Sequence, residues 1–250
     1  MNVRLTQRDH GILAKCAVCR WLTTTQLQQL YFPQASLNAV QKRLRILSDA
    51  GYLRSHRENQ MAEAVYAVGA KGKPVLEERG SESVITDVPK QLEHLTGING
   101  IRVALETSGL PLVYFFAHWE LGSLGWTFPV IPDAVFALAT QQRQHFLVEY
   151  DRGTEPLKII LEKLRAYNEG VPGFAADGVL LIMEENRRFD RLGRELRREG
   201  IALPCLVASR TEVKQAPADA IFLELAEGRR RSLVITSQNF FPLAHSSGRT

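Results

Sequence analysis

Ser36-Leu37-Asn38-Ala39-Val40-Gln41-Lys42-Arg43-Leu44-Arg45-Ile46-Leu47-Ser48-Asp49-Ala50-Gly51 carries two periodicities at once. Val40, Leu44 and Leu47 recur at i, i+4 and i+7, so one helix face is apolar. Asn38, Gln41, Lys42 and Arg45 recur at i, i+3, i+4 and i+7 on another face. Ser36 offers a hydroxyl cap before the first turn, and Gly51 ends the helix. The polar face holds the side chains that pair with base edges: Arg and Lys suit guanine, Asn and Gln suit adenine.

The flanking sequence gives this helix a setting. Upstream, Thr6-Gln7-Arg8-Asp9 starts a helix with apolar Ile12, Leu13, Cys16, Cys19 and Leu22. A second start at Thr24-Thr25 precedes Leu27, Leu30 and Tyr31, and Pro33 stops it. Downstream, residues 52–57 and 64–68 read as two strands around the polar turn Glu58-Asn59-Gln60. Three helices and then a hairpin predict a winged helix-turn-helix over residues 1–80, with double-stranded DNA as its partner. Asn38, Gln41, Lys42 and Arg45 are expected in the major groove, and Arg54, His56 and Arg57 of the wing on phosphates or in the minor groove. Such proteins often read two half-sites, so a homodimer is expected.

Charge supports this placement. Residues 1–80 hold 12 Lys and Arg against 6 Asp and Glu, whereas residues 81–250 hold 19 against 21. The attraction for a polyanion therefore sits in the first third. No run of 18 apolar residues occurs, and residues 1–8 lack the apolar core of a secretory signal, so a cytoplasmic protein away from membranes is expected. Cys16 and Cys19 form a lone C-x-x-C with no second pair at zinc spacing, which favours buried structural thiols over a metal or redox role. No H-E-x-x-H, G-x-S-x-G or G-x-x-x-x-G-K-[ST] occurs, which disfavours ATP hydrolysis and serine hydrolase chemistry.

Residues 81–110 read as a linker, with a break at Pro89, followed by a connecting helix over about 91–108. Residues 111–240 alternate strands and helices as a mixed-sheet α/β domain, and 241–250 read as a tail. Strands are expected at 111–117, 126–129, 131–138, 145–151, 178–183 and 204–207, and helices at 156–168 and 187–199. A polar turn at 140–143 pairs two of these strands and brings Asp133 opposite Glu149 or Asp151. Three clustered carboxylates would suit Mg²⁺ or Mn²⁺, which could activate water at a phosphoryl group. The alternative is that strand-end acids simply face solvent.

Pro132-Asp133 followed by Glu149-Tyr150-Asp151 resembles the core of the PD-(D/E)XK nuclease superfamily. The run Glu149-Tyr150-Asp151-Arg152-Gly153-Thr154, with Lys163 and Tyr167 downstream at i, i+4 on one helix face, is more specifically similar to the replication-relaxation family. That family is associated with plasmids and mobile elements, and joins a winged helix to a nuclease-like domain. The resemblance covers roughly residues 4–200. It implies catalytic roles for Asp133, Glu149, Asp151 and Lys163, with Asp133 and Glu149 as Mg or Mn ligands in an active enzyme. It also implies action in replication, DNA relaxation or mobilisation, beside relaxase, replication or conjugation proteins. One departure stands out: the nuclease pattern has Lys two residues after Glu149, and this chain has Asp151. The expectation is therefore a regulatory or scaffolding nuclease-like domain. An active metal-dependent endonuclease and a winged-helix transcriptional regulator are the alternatives.

Overall fold

The computed structural model describes residues 3–80, 87–139, 143–183, 188–215, 221–224 and 229–232. The chain is mixed α and β, with two sheets, and splits into two compact units, Met1–Val103 and Ala104–Thr250. Linker residues 81–86, turn residues 140–142 and the tail at 241–250 lie outside the described residues.

In the first unit, α1 (Gln7–Cys19) begins with a reciprocal cap: the Thr6 hydroxyl accepts from Asp9 N–H and the Asp9 carboxylate accepts from Thr6 N–H. Two residues of β1 (Leu22–Thr23) lead into α2 (Thr24–Tyr31), where Thr23 and Gln26 repeat the same device. Next comes α3 (Leu37–Asp49), capped by Ser36. Gly51 then turns with φ +83°, a left-handed backbone that favours glycine. The strands β2 (Leu53–His56) and β3 (Val65–Val68) follow, then α4 (Gly72–Glu77). A Cβ on Gly72 would stand 2.4 Å from the Tyr52 carbonyl oxygen, so only glycine lets this turn close against the hairpin. The sheet order is β1-β3-β2, all antiparallel. Ile12, Leu13, Leu27, Val40, Leu44 and Leu47 are fully buried at its centre.

The first turns of α5 (Leu92–Thr107) belong to this unit. Fully buried Asn99 donates to the carbonyls of Cys19 (2.8 Å) and Trp21 (2.9 Å), just where α1 ends. Buried Arg102 donates to the Cys19 sulfur at 3.4 Å. Cys16 and Cys19 are both free thiols with almost no exposure, and burial, with Cys19 beside it, raises the Cys16 thiol.

The second unit is built on a seven-stranded sheet. Its strands are β4 (Leu112–Ala117), β5 (Ala134–Ala139), β6 (Arg143–Tyr150), β7 (Gly178–Met183), β8 (Cys205–Ser209), β9 (Ile221–Glu224) and β10 (Arg229–Ser232). They lie in the order β10-β9-β8-β7-β6-β5-β4, with β6, β7 and β8 parallel and the remaining pairs antiparallel. The parallel pairs are linked through α7 (Leu157–Asn168) and α8 (Arg188–Glu199). Ile160 and Leu164 of α7 and Leu192 and Leu196 of α8 share one core cluster with Leu147, Val179, Leu181 and Val207, so both helices cover the same sheet face. All six residues of β7 are buried, as an unbroken apolar run in a parallel sheet requires. Short helices α6 (His118–Leu121) and α9 (Arg210–Gln215) also belong to this unit.

Two expected strands differ. Residues 126–129 form no strand; Trp126 packs edge-on against Phe174 at 5.1 Å and Phe128 lies 5.6 Å from the same ring. Their alternating aromatic pattern serves ring packing rather than a ladder. The strand expected from Ile131 begins only at Ala134, so Asp133 precedes it.

Candidate functional site

The apolar row of α3 faces inward and thereby fixes where its polar row points. Asn38, Gln41, Lys42 and Arg45 are all exposed. With His56 and Arg57 of the hairpin they line one concave groove of about 540 Å³. The hairpin tip is held by Asn59, whose side-chain oxygen accepts from Met61 N–H (2.9 Å) and Ala62 N–H (2.8 Å). Arg57 donates to the Gln60 carbonyl at 3.2 Å. Six of the seven residues expected to meet DNA therefore share one surface. Arg54 does not line it: its guanidinium lies 5.0 Å over the Trp21 ring and 3.7 Å from the Asp87 carboxylate.

The carboxylates of the second unit meet part of the sequence expectation, with Asp133 opposite Glu149 and Asp151 paired elsewhere. The register that pairs Ala134 with Val148, continued by one residue, sets Asp133 beside Glu149. Asp133 accepts the Tyr150 N–H at 2.7 Å. Glu149 ends β6 with its side chain buried at 4% exposure. One of its oxygens takes the Lys163 ammonium at 2.9 Å, and the other takes the Tyr167 hydroxyl. Lys163 and Tyr167 are one turn apart on α7, so a single helix face supplies both donors. Lys163 also reaches Glu155 at 3.1 Å.

Burial is the largest influence on Glu149 and pushes its carboxyl up to about 7, with the charge of Asp133 adding to it; Lys163 and Tyr167 offset part of the rise. Burial pulls the Lys163 ammonium down, but Glu149 and then Glu155 more than restore it. Burial and the adjoining carboxylates raise the Tyr167 phenol, which stays a proton donor.

Asp151 stands apart from this set. It accepts the Gly153 N–H at 2.8 Å and pairs with Arg188 of α8 at 3.1 Å. The expected trio of Asp133, Glu149 and Asp151 does not form: no group of three His, Cys, Asp or Glu among the described residues is placed to hold a metal ion. A hard divalent cation needs several oxygens turned toward one point. Here both Glu149 oxygens are taken by Lys163 and Tyr167, while Asp151 Oδ1 takes the Gly153 N–H and its buried Oδ2 has Arg188 as charge partner and no hydrogen bond.

Sequence reasoning placed Lys163 and Tyr167 on one face but missed Glu155 and Arg188. Glu155 lies eight residues before Lys163 in the connection to α7, and Arg188 opens the next helix but one strand away. Only the fold joins them. It also missed the Arg43–Asp9 pair, which joins α3 to α1.

The family model described as replication-relaxation matches residues 13–176, a span that takes in the α3 groove and the chain from Asp133 through Tyr167. No curated protein matches the chain. Among the described residues no helix is long and apolar enough to cross a membrane.

Proposed function

The chain belongs to the replication-relaxation family, and from that premise we propose that it is a double-stranded-DNA-binding protein of a plasmid or other mobile element. Its first 80 residues act as a winged helix-turn-helix. α3 enters the major groove with Asn38, Gln41, Lys42 and Arg45 toward base edges, and His56 and Arg57 hold the backbone. Arg54 steadies the hairpin through Trp21 instead of meeting DNA. The second unit is a PD-(D/E)XK-like domain that serves as scaffold or regulator in replication, DNA relaxation or mobilisation, and engages partner proteins there.

The observation that carries this reading is the shared groove: six polar or basic side chains from α3 and the hairpin that follows it line one concave face. The internal pairing of Glu149 with Lys163 and Tyr167 supports the scaffold role over metal-dependent cleavage. A gel shift with the full chain and a mixed-sequence duplex tests it. Binding that weakens steeply as salt rises is expected, because Lys and Arg release counterions from phosphates. No binding at low salt would overturn the reading.

A further inference from the structure

The helix α3 has three rows of side chains, not two. At about 100° per residue the buried row, the polar row and the row of Ala39 and Arg43 stand roughly a third of a turn apart. The third row borders a second groove of about 510 Å³, lined also by Thr6, Gln7, Arg8 and Phe32. This groove lies in the same unit as the first, across α3 from the hairpin, and none of the DNA contacts assigned so far touches it.

We propose that Arg8, with Gln7 beside it, contacts the phosphate backbone of the DNA strand on the side of α3 away from the hairpin. The inference rests on the DNA-binding reading and extends it. A helix in the major groove lies between two sugar-phosphate walls about 12 Å apart, and the hairpin can serve only one of them. Arg8 is exposed, yet its guanidinium is stationed 4.7 Å over the ring of buried Phe32. Stacking leaves the guanidinium edge, with its N–H donors, open to a phosphate. Between Arg8 and α3 the groove wall is Ala35 and Ala39, whose small side chains leave room for a backbone to approach. The groove holds one acid, Asp9, and its charge is already met by Arg43 and by the Thr6 donors. The surface left to a ligand is therefore cationic.

The test uses the full chain and a mixed-sequence duplex, with affinity followed by fluorescence anisotropy across a salt series. Arg8→Ala is expected to weaken binding about 3- to 10-fold and to lower the slope of log affinity against log salt by about one, the mark of one lost phosphate contact. Arg8→Lys keeps the charge and is expected to keep the slope. A thermal melt confirms that each variant is folded, since Arg8 is exposed and makes no buried hydrogen bond. If the wild type binds and Arg8→Ala leaves both slope and affinity unchanged, the inference is wrong and the DNA-binding reading stands. If the wild type does not bind the duplex at all, both fall.

Discussion

Arg43 of α3 clasps Asp9 of α1 through both carboxylate oxygens, with Nε 2.9 Å from Oδ1 and Nη2 on Oδ2. Asp9 is at the same time the reciprocal cap of α1 and is 1% exposed. One carboxylate thus caps the start of α1 and ties α3 to it. Burial would raise Asp9, but hydrogen bonds from Arg43 and then Thr6 outweigh it and hold the carboxyl below its ordinary value.

Arg43→Ala leaves that carboxylate buried and half-partnered. A loss of about 2–3 kcal/mol is expected in urea denaturation of the first unit at neutral pH. Because the Asp9 carboxyl is depressed in the folded state, its stabilising share is present above the ordinary aspartate range and fades as pH falls through the folded value. The gap between wild type and Arg43→Ala should therefore narrow in acid. A variant as stable as wild type at pH 7 would show that the clasp is not structural.

Glu149 runs the opposite way. Its carboxyl is raised from 4.5 to about 7 in the folded state, so the fold binds the extra proton. Its contribution is full below pH 4.5 and is lost as pH climbs through 7. The wild-type second unit should lose on the order of 2–3 kcal/mol between pH 5 and pH 8. Glu149→Gln, which keeps shape and cannot ionise, should flatten that drift. Denaturant midpoints at the two pH values decide it, and equal drift in both proteins would remove Glu149 as the source.

Lys42→Ala and Arg45→Ala each remove a cation from the α3 groove. Either should weaken duplex binding by about 1–3 kcal/mol if its contact is a bidentate base contact, and by less if it meets a phosphate. Arg54→Ala should change affinity little but lower the melting temperature, because its partners are Trp21 and Asp87. Equal losses for all three would mean that the groove does not define the interface.

Supercoiled plasmid incubated with the protein in Mg²⁺ or Mn²⁺ should remain unnicked, and Asp133→Ala should behave identically while both still shift DNA on a gel. The reason is the prior engagement of both Glu149 oxygens. Nicking by the wild type that disappears in Asp133→Ala would make the second unit an endonuclease and place Asp133 at the metal.

How much of this the sequence disclosed depended on whether the determining contacts were local. The two rows of α3, the extent of β7 and the shared face of Lys163 and Tyr167 follow from periodicity and caps within a dozen residues, and each appears in the structure where it was expected. The start of β5 was misplaced because Ile131 and Pro132 look like strand but lie before the first ladder pair. Trp126 and Phe128 alternate like strand residues, yet a ring 46 or more positions away, Phe174, is what they pack on. The pairing of Asp151 with Arg188 needs β6, α7, β7 and α8 all in place before the two meet. Asn99 and Arg102 did leave a trace, as polar residues inside an apolar helix, but nothing local names their partners at Cys19.

Asn99 also governs how the first unit of this protein can be moved elsewhere. A recombinant piece ending at residue 80 would discard the side chain that satisfies the carbonyls of Cys19 and Trp21, and would strip the Gln26 amide of its acceptor at Thr96. Three buried polar groups would then face either water or nothing, each at a cost of about 1–3 kcal/mol. A transplantable module should instead run through Val103, carrying its own plug for the end of α1.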